Sequence, residues 1–139
     1  MAEDIPAQYH DLFDEPNFAT FATKMPAGTP QQTVVWVDRE ERESVDRVLV
    51  NTERGRQKER NVQRDPLVGV CIIDPEDGYR YVSVRGRVEE VTAEGADDHA
   101  DMLARQYMGV EEYPSREEEE GDRVVLRVEP LRVTGTESA

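Results

Sequence analysis

The stretch best equipped for chemistry is Asn51-Thr-Glu-Arg-Gly-Arg-Gln-Lys-Glu-Arg-Asn61. It gathers Arg54, Arg56, Lys58 and Arg60, with Arg64 close behind, in a chain whose formal net charge is −14. Only Glu53 and Glu59 offset them locally. A strand-like run leads through Gly55 into a helix-like one. The segment therefore offers free backbone N–H groups, the positive end of a helix dipole and fork-shaped guanidinium donors, which together suit a phosphate. Lys58 is one of two lysines, the other being Lys24, so 15 of the 17 basic residues are Arg. A surface helix whose arginines pair with neighbouring acids accounts for the same residues equally well. No Walker-type spacing is present, so a nucleoside triphosphate is not indicated.

The other reactive residue types are sparse. Trp36 sits in Val34-Val-Trp-Val37 as a core or interface aromatic, or as the wall of a flat-ring pocket. Tyr79 and Tyr81 open a long strand, with one expected to face the core and the other a cleft. His10 and His99 are the only histidines, and both are expected on the surface. Asp97, Asp98 and Asp101 beside His99 make a weak metal set, and the acidic run Glu117 to Glu120 reads as a solvated loop. Cys71, alone in an apolar run, reads as a small buried hydrophobe. No Ser-His-Asp or Cys-His nucleophile motif occurs. The lack of an acid, base and nucleophile set fits chemistry supplied by a cofactor.

The elements that must position these residues follow from periodicity and turn residues. Ala7 to Phe13 reads as a short helix stopped by Pro16. Phe18 to Met25 and Pro30 to Asp38 form a hairpin across Pro26-Ala-Gly-Thr29. Arg39 to Ser44 reads as a charged loop, Val45 to Thr52 as a third strand, and Gly55 to Arg64 as a helix closed by Asp65-Pro66. Leu67 to Ile73 is almost continuously apolar, which predicts burial of both faces. Tyr79 to Val91 is a long strand with Gly86 as a bulge or close approach. Thr92 is placed as an N-cap for a helix to about Met108, ended by Gly109, with Met102, Leu103 and Tyr107 on its apolar side. Asp122 to Thr134 is the last strand. The expectation is an α+β fold: a six-stranded, mostly antiparallel, closed or partly closed barrel. It forms one domain over 1–139, with a helical segment at 1–16, the barrel at 17–134 and a tail at 135–139.

Composition bounds the partners. With 31 Asp and Glu spread along the chain and few lysines, the sequence is similar to proteins of salt-loving organisms, whose cytoplasm screens surface repulsion. The charge argues against nucleic acid and anionic membranes. No segment is long enough to span a bilayer. The first 14 residues lack the apolar stretch of a signal peptide, so a cytoplasmic protein is expected.

Six stretches, in this order, carry a resemblance: Phe18-Ala-Thr-Phe-Ala-Thr, Gly28-Thr-Pro-Gln-Gln-Thr-Val-Val-Trp-Val37, Val48-Leu-Val-Asn-Thr52, Gly55-Arg-Gln-Lys-Glu-Arg-Asn61, Asp65-Pro66 and Tyr79-Arg-Tyr-Val-Ser-Val-Arg-Gly86. They cover roughly residues 8 to 133 and resemble the pyridoxamine 5′-phosphate oxidase-like family, most closely its small F420-dependent branch. The resemblance implies an FMN-binding split barrel that dimerises, with two cofactor sites along the interface. It implies Lys58 on the cofactor phosphate with Arg56 beside it, and Asn51 and Thr52 on the ribityl-phosphate arm. Gln32, Thr33, Val35 and Trp36 would run beside the ring. Asn61, Tyr81 and Arg85, with Tyr79, would complete the site, some of them from the second subunit. Thr33 stands where FMN-dependent members carry an Arg, and the chain ends soon after Val133 without their substrate-binding C-terminal segment. Both departures count against vitamin B6 oxidation, and the F420-dependent branch tolerates both. The implied function is an F420-dependent oxidoreductase acting on a small molecule. The alternatives are an FMN-dependent oxidoreductase, or a non-catalytic flavin, deazaflavin or haem carrier.

Overall fold

A computed structural model of the chain describes residues 2–136. A 3₁₀ turn over Ala7–Tyr9 runs into α1 (His10–Asp14), then β1 (Ala19–Lys24), β2 (Pro30–Val35), β3 (Asp38–Arg42) and β4 (Val45–Glu53). Helix α2 (Gln57–Arg64) leads to β5 (Leu67–Asp74) and β6 (Asp77–Thr92). Helix α3 (Ala96–Met108), a 3₁₀ turn over Arg116–Glu118 and β7 (Arg123–Thr136) follow. The expected tail thus begins inside β7, and its residues 137–139 lie outside the described residues.

The fold is α+β and mainly antiparallel, as expected, but the sheet has seven strands, not six. The extra one is β3, in the segment expected to be a charged loop. Asp38-Arg-Glu-Glu-Arg42 has no apolar residue to announce a strand. Its pairing with β4, Asp38 opposite Leu49 through Arg42 opposite Val45, creates it. Charged side chains suit an edge strand, because they discourage further pairing. Glu43 and Ser44 turn the chain with φ of 54° and 65°, the mirror-image backbone that fits a tight hairpin.

The strand order is β2-β1-β5-β6-β7-β4-β3. The two edge strands are joined by Trp36 and Val37 alone. Three Cα steps span at most about 11 Å, so the sheet must curl until its edges nearly meet, and a partly closed barrel results. Its inside is filled by Phe21, Val48, Val50, Ile72, Val82, Val84, Val124, Leu126 and Val128, all essentially inaccessible. Ile5, Leu12 and Phe13 from the N-terminal segment join the same cluster. The Asp46 carboxylate anchors that segment by accepting the Ile5 N–H at 2.9 Å and an Arg39 N–H at 3.0 Å.

β5 corrects one expectation. Its residues alternate, with Val68, Val70 and Ile72 buried and Leu67 and Ile73 exposed, so only one face is in the core. An apolar run does not distinguish two buried faces from one buried face and one left for a partner. Cys71 accordingly is only half-buried. Gly86 behaves as predicted: the register of β6 against β7 shifts there, and a Cβ would lie 2.5 Å from a Val128 methyl.

α3 starts later than expected. Thr92 Oγ1 accepts the Glu94 N–H at 3.1 Å, making a local turn, and Gly95 with φ 73° precedes the helix instead. The end at Gly109 holds, with φ 72° and its N–H on the Arg105 carbonyl. No helix among the described residues is long and apolar enough to cross a membrane.

Candidate functional site

A pocket of about 190 Å³ opens where the β2–β3 link, the end of β4, the start of α2 and the start of β7 converge. One wall is apolar and aromatic: Phe18, Val34, Val35 and Trp36. The other is polar and cationic: Asn51, Thr52, Arg56, Lys58 and Arg123, with Tyr113 from the loop before β7.

The cationic wall is built by the β4–α2 turn. Asn51 and Thr52 end β4, Gly55 turns the chain with φ 98°, and Arg56 stands at the N-cap of α2. Glu59 in the first turn of α2 reaches back to accept the Gly55 N–H at 2.8 Å and also accepts from Gln63 at 2.9 Å. It is therefore committed to the helix start and does not neutralise the pocket. Arg56 lies 3.4 Å from Glu53 and 3.8 Å from Glu119. Lys58 is half-buried and, among the described residues, makes no ion pair. Its pKa falls below the ordinary 10.5, first because burial disfavours the charged form and then because Arg56 and Arg123 repel it. A cation without an ion-pair partner, beside two arginines whose own partners are Glu53 and Glu119, offers charge that suits an anion.

The aromatic wall is fixed from behind. Trp36 stacks on Tyr107 with ring centroids 5.2 Å apart, and meets Tyr113 edge-on at 6.2 Å. The Tyr107 hydroxyl donates to the Asn17 carbonyl at 2.6 Å and accepts the Val37 N–H at 3.1 Å. Burial raises its pKa, so the phenol stays neutral.

Of the residues singled out from sequence, the fold brings Val35, Trp36, Asn51, Thr52, Arg56 and Lys58 together in this pocket. Gln32 is exposed on β2, and Thr33 is next to the pocket but does not line it; its Oγ1 is buried without a hydrogen-bond partner. Asn61 is fully buried and bonds Thr23 at 2.9 Å and Gln57 at 2.7 Å. It pins α2 to β1 and is not available to a ligand in this chain. Tyr81 and Arg85 lie on the outer face of β6, opposite Ile73 and Gly69. Tyr79 and Tyr81 are two residues apart on one strand, so they share a face, and the expected division between core and cleft does not occur.

Phe18, Tyr113 and Arg123 also line the pocket, although sequence does not single them out for it. Phe18 precedes the first strand. Arg123 pairs with Glu53 across β4 and β7, a register visible only in three dimensions. His99, expected on the surface, has only 12% of its side chain exposed and lies 3.1 Å from Asp38. His10 is also tucked in, 2.8 Å from the Ile5 carbonyl. For His99 the cause is β3, whose Asp38 meets a ring flanked in sequence by Asp97 and Asp98. Among the described residues no three His, Cys, Asp or Glu side chains are grouped to hold a metal ion.

Comparison with known proteins identifies the family of the fold. Residues 5–137 match the family described as Pyridoxamine 5′-phosphate oxidase. A solved F420 reductase is similar over 94% of this chain and 98% of its own, at 30% identity and a TM-score of 0.80. A conserved hypothetical protein from Mycobacterium tuberculosis aligns over 96% of this chain and 85% of its own, with 23% identity and a TM-score of 0.72. A putative pyridoxamine 5′-phosphate oxidase from Listeria innocua shares the fold at 14% identity and a TM-score of 0.54, over 88% and 90% of the two chains. No curated protein matches the chain.

Proposed function

The chain belongs to the pyridoxamine 5′-phosphate oxidase family, and from that premise we propose that it is a homodimeric F420-dependent oxidoreductase acting on a small organic molecule. The observation that carries this reading is the unpaired, half-buried Lys58 between Arg56 and Arg123, facing an aromatic wall across a small pocket. A deazaflavin presents the matching pair of features, a phosphate arm and a flat ring.

The residues fit such a group. Lys58, Arg56 and Arg123 would hold the phosphate, their charged N–H groups suiting its oxygens. Asn51 and Thr52 bind the polyol arm. Val35 and Trp36 would flank the ring, and the stack on Tyr107 holds Trp36 in place. When bound, the cofactor supplies hydride transfer, and the protein supplies orientation and exclusion of water.

The reading includes a second subunit. The outer face of β1, β2, β5 and β6 exposes Val34 at 66% and Ile73 at 56%, with Leu67 also exposed and Phe18, beside β1, at 60%. Exposed apolar patches of this kind mark interfaces. Phe18 and Val34 belong to both this face and the pocket, so a partner packed here would deepen the pocket. Tyr81 and Arg85 lie on β6 within the same outer face, where they can serve the partner's pocket.

The test is a titration of the full chain in high-salt buffer with F420 and FMN in parallel, following the single tryptophan, Trp36, with sedimentation of the same samples. Preferential F420 binding to a dimer is expected. Preference for FMN moves the protein to the flavin-dependent members despite Thr33. Binding of neither overturns the cofactor reading and leaves the basic segment structural.

A further inference from the structure

Behind the pocket runs a connected polar chain: Asp38, His99, Asn51, Arg123 and Glu119. Its proton positions follow from what each partner can do. The Asn51 side-chain nitrogen lies 2.9 Å from the Ala96 carbonyl, which can only accept. The Asn51 oxygen therefore faces Arg123 Nε and accepts its proton at 2.8 Å. The second hydrogen of the same Asn51 nitrogen meets His99 Nδ1 at 3.0 Å, so Nδ1 is the bare nitrogen. The ring proton is on Nε2 and is donated to Asp38 Oδ2 at 3.1 Å. Arg123 spends Nε on Asn51 and Nη1 on Glu119 at 2.7 Å, and its guanidinium carbon lies 4.6 Å over the Tyr113 ring. Among the described residues its Nη2 has no protein partner.

We infer that His99 is a positioning residue of the anion pocket: its Nδ1, fixed as an acceptor by the bond to Asp38, joins the Ala96 carbonyl in holding the Asn51 carboxamide in the orientation that locks Arg123 with a free guanidinium edge for the ligand. A flipped carboxamide would set NH₂ against the Arg123 N–H and oxygen against the Ala96 carbonyl. Both contacts are repulsive. That the ligand's anchor is a phosphate rests on the reading above. The link from His99 to Arg123 rests on geometry alone.

The experiment compares His99→Asn, His99→Gln and His99→Phe in the full chain. Asn presents its oxygen near the place of Nδ1, so it keeps the acceptor for Asn51. Gln places its amide near Nε2, so it keeps a donor for Asp38 and loses the acceptor. Phe loses both. Affinity for inorganic phosphate and for FMN should stay within about threefold of the parent for His99→Asn, and fall by roughly tenfold or more for His99→Gln and His99→Phe, the loss of one net hydrogen bond or slightly more. A second readout needs no ligand. The Arg123 Nε–H resonance, assigned by its loss in Arg123→Lys, should keep its position in His99→Asn and move or broaden in the other two. Equal behaviour of His99→Asn and His99→Gln overturns the inference. So does a loss that simply tracks melting temperature across all three. If the parent protein binds neither phosphate nor FMN, the phosphate reading fails, and the Arg123 resonance still decides the His99 link.

Discussion

Replacing Lys58 by methionine should move stability and affinity in opposite directions. Without ligand, Lys58 is half-buried, has no acid partner among the described residues, and is repelled by Arg56 and Arg123. A base whose folded-state pKa lies below its unfolded value opposes folding while it is charged. That opposition is fully present below the folded pKa and fades as pH rises towards 10.5. At neutral pH Lys58→Met removes the charge and keeps most of the stem, so the ligand-free variant should melt higher than the parent. Phosphate binding should weaken, because one charge-assisted hydrogen bond is gone. At roughly 1.5–3 kcal/mol this is about a 10- to 150-fold rise in Kd. The assay is a pair of measurements on one sample: thermal unfolding by circular dichroism without ligand, and phosphate or FMN affinity from Trp36 emission. A lower melting temperature with unchanged affinity would refute the reasoning and make Lys58 a structural residue. A lower melting temperature with lost affinity would show that the stem, not the charge, matters.

The depressed Lys58 pKa also sets a pH dependence. A bound anion raises that pKa, so affinity is greatest below the free-protein value and declines as pH rises through it. Sulfate, which does not titrate in this range, should bind progressively less well at alkaline pH below 10.5, and Lys58→Arg should flatten that profile because guanidinium stays charged. Tyr107→Phe leaves the buried Val37 N–H and the Asn17 carbonyl without their shared partner. It should cost about 1–3 kcal/mol in urea unfolding while Trp36 keeps its stacked neighbour and much of its emission. At the β3–β4 turn, Glu43→Asn with Ser44→Gly relieves two left-handed non-glycine residues and should raise stability by about 1 kcal/mol. No gain in the denaturant midpoint would show that this turn is not strained.

Much of this protein is legible in its residues taken singly. The hairpin of β1 and β2 is announced by Pro26-Ala-Gly-Thr29 between β-prone runs, α2 by Gly55 and Asp65-Pro66, and the close approach at Gly86 by a glycine inside a long strand. Local propensity and turn chemistry act over a few residues, so they survive without the fold. The cationic segment Arg54 to Lys58 is legible for the same reason: its charges are neighbours in the chain. Which of them stay free is not. Glu59 is the immediate sequence neighbour of Lys58, closer than Arg56, yet the fold turns it back onto Gly55 and leaves Lys58 without an ion pair among the described residues.

What only the tertiary structure decides is every relation that depends on strand register or on a strand without apolar residues. β3 exists because β4 offers it a partner, and it carries Asp38 to His99. Arg123 reaches the pocket because β7 pairs with β4 so that it falls opposite Glu53, some 70 residues away in the chain. Asn61, which sequence places beside the ligand, is instead buried against Thr23, because the pitch of α2 turns it to the barrel. Sequence fixes the chemistry each residue can offer over a turn or two of chain. Long-range pairing, stabilised by burial of the valine-rich barrel interior, selects which of those offers meet.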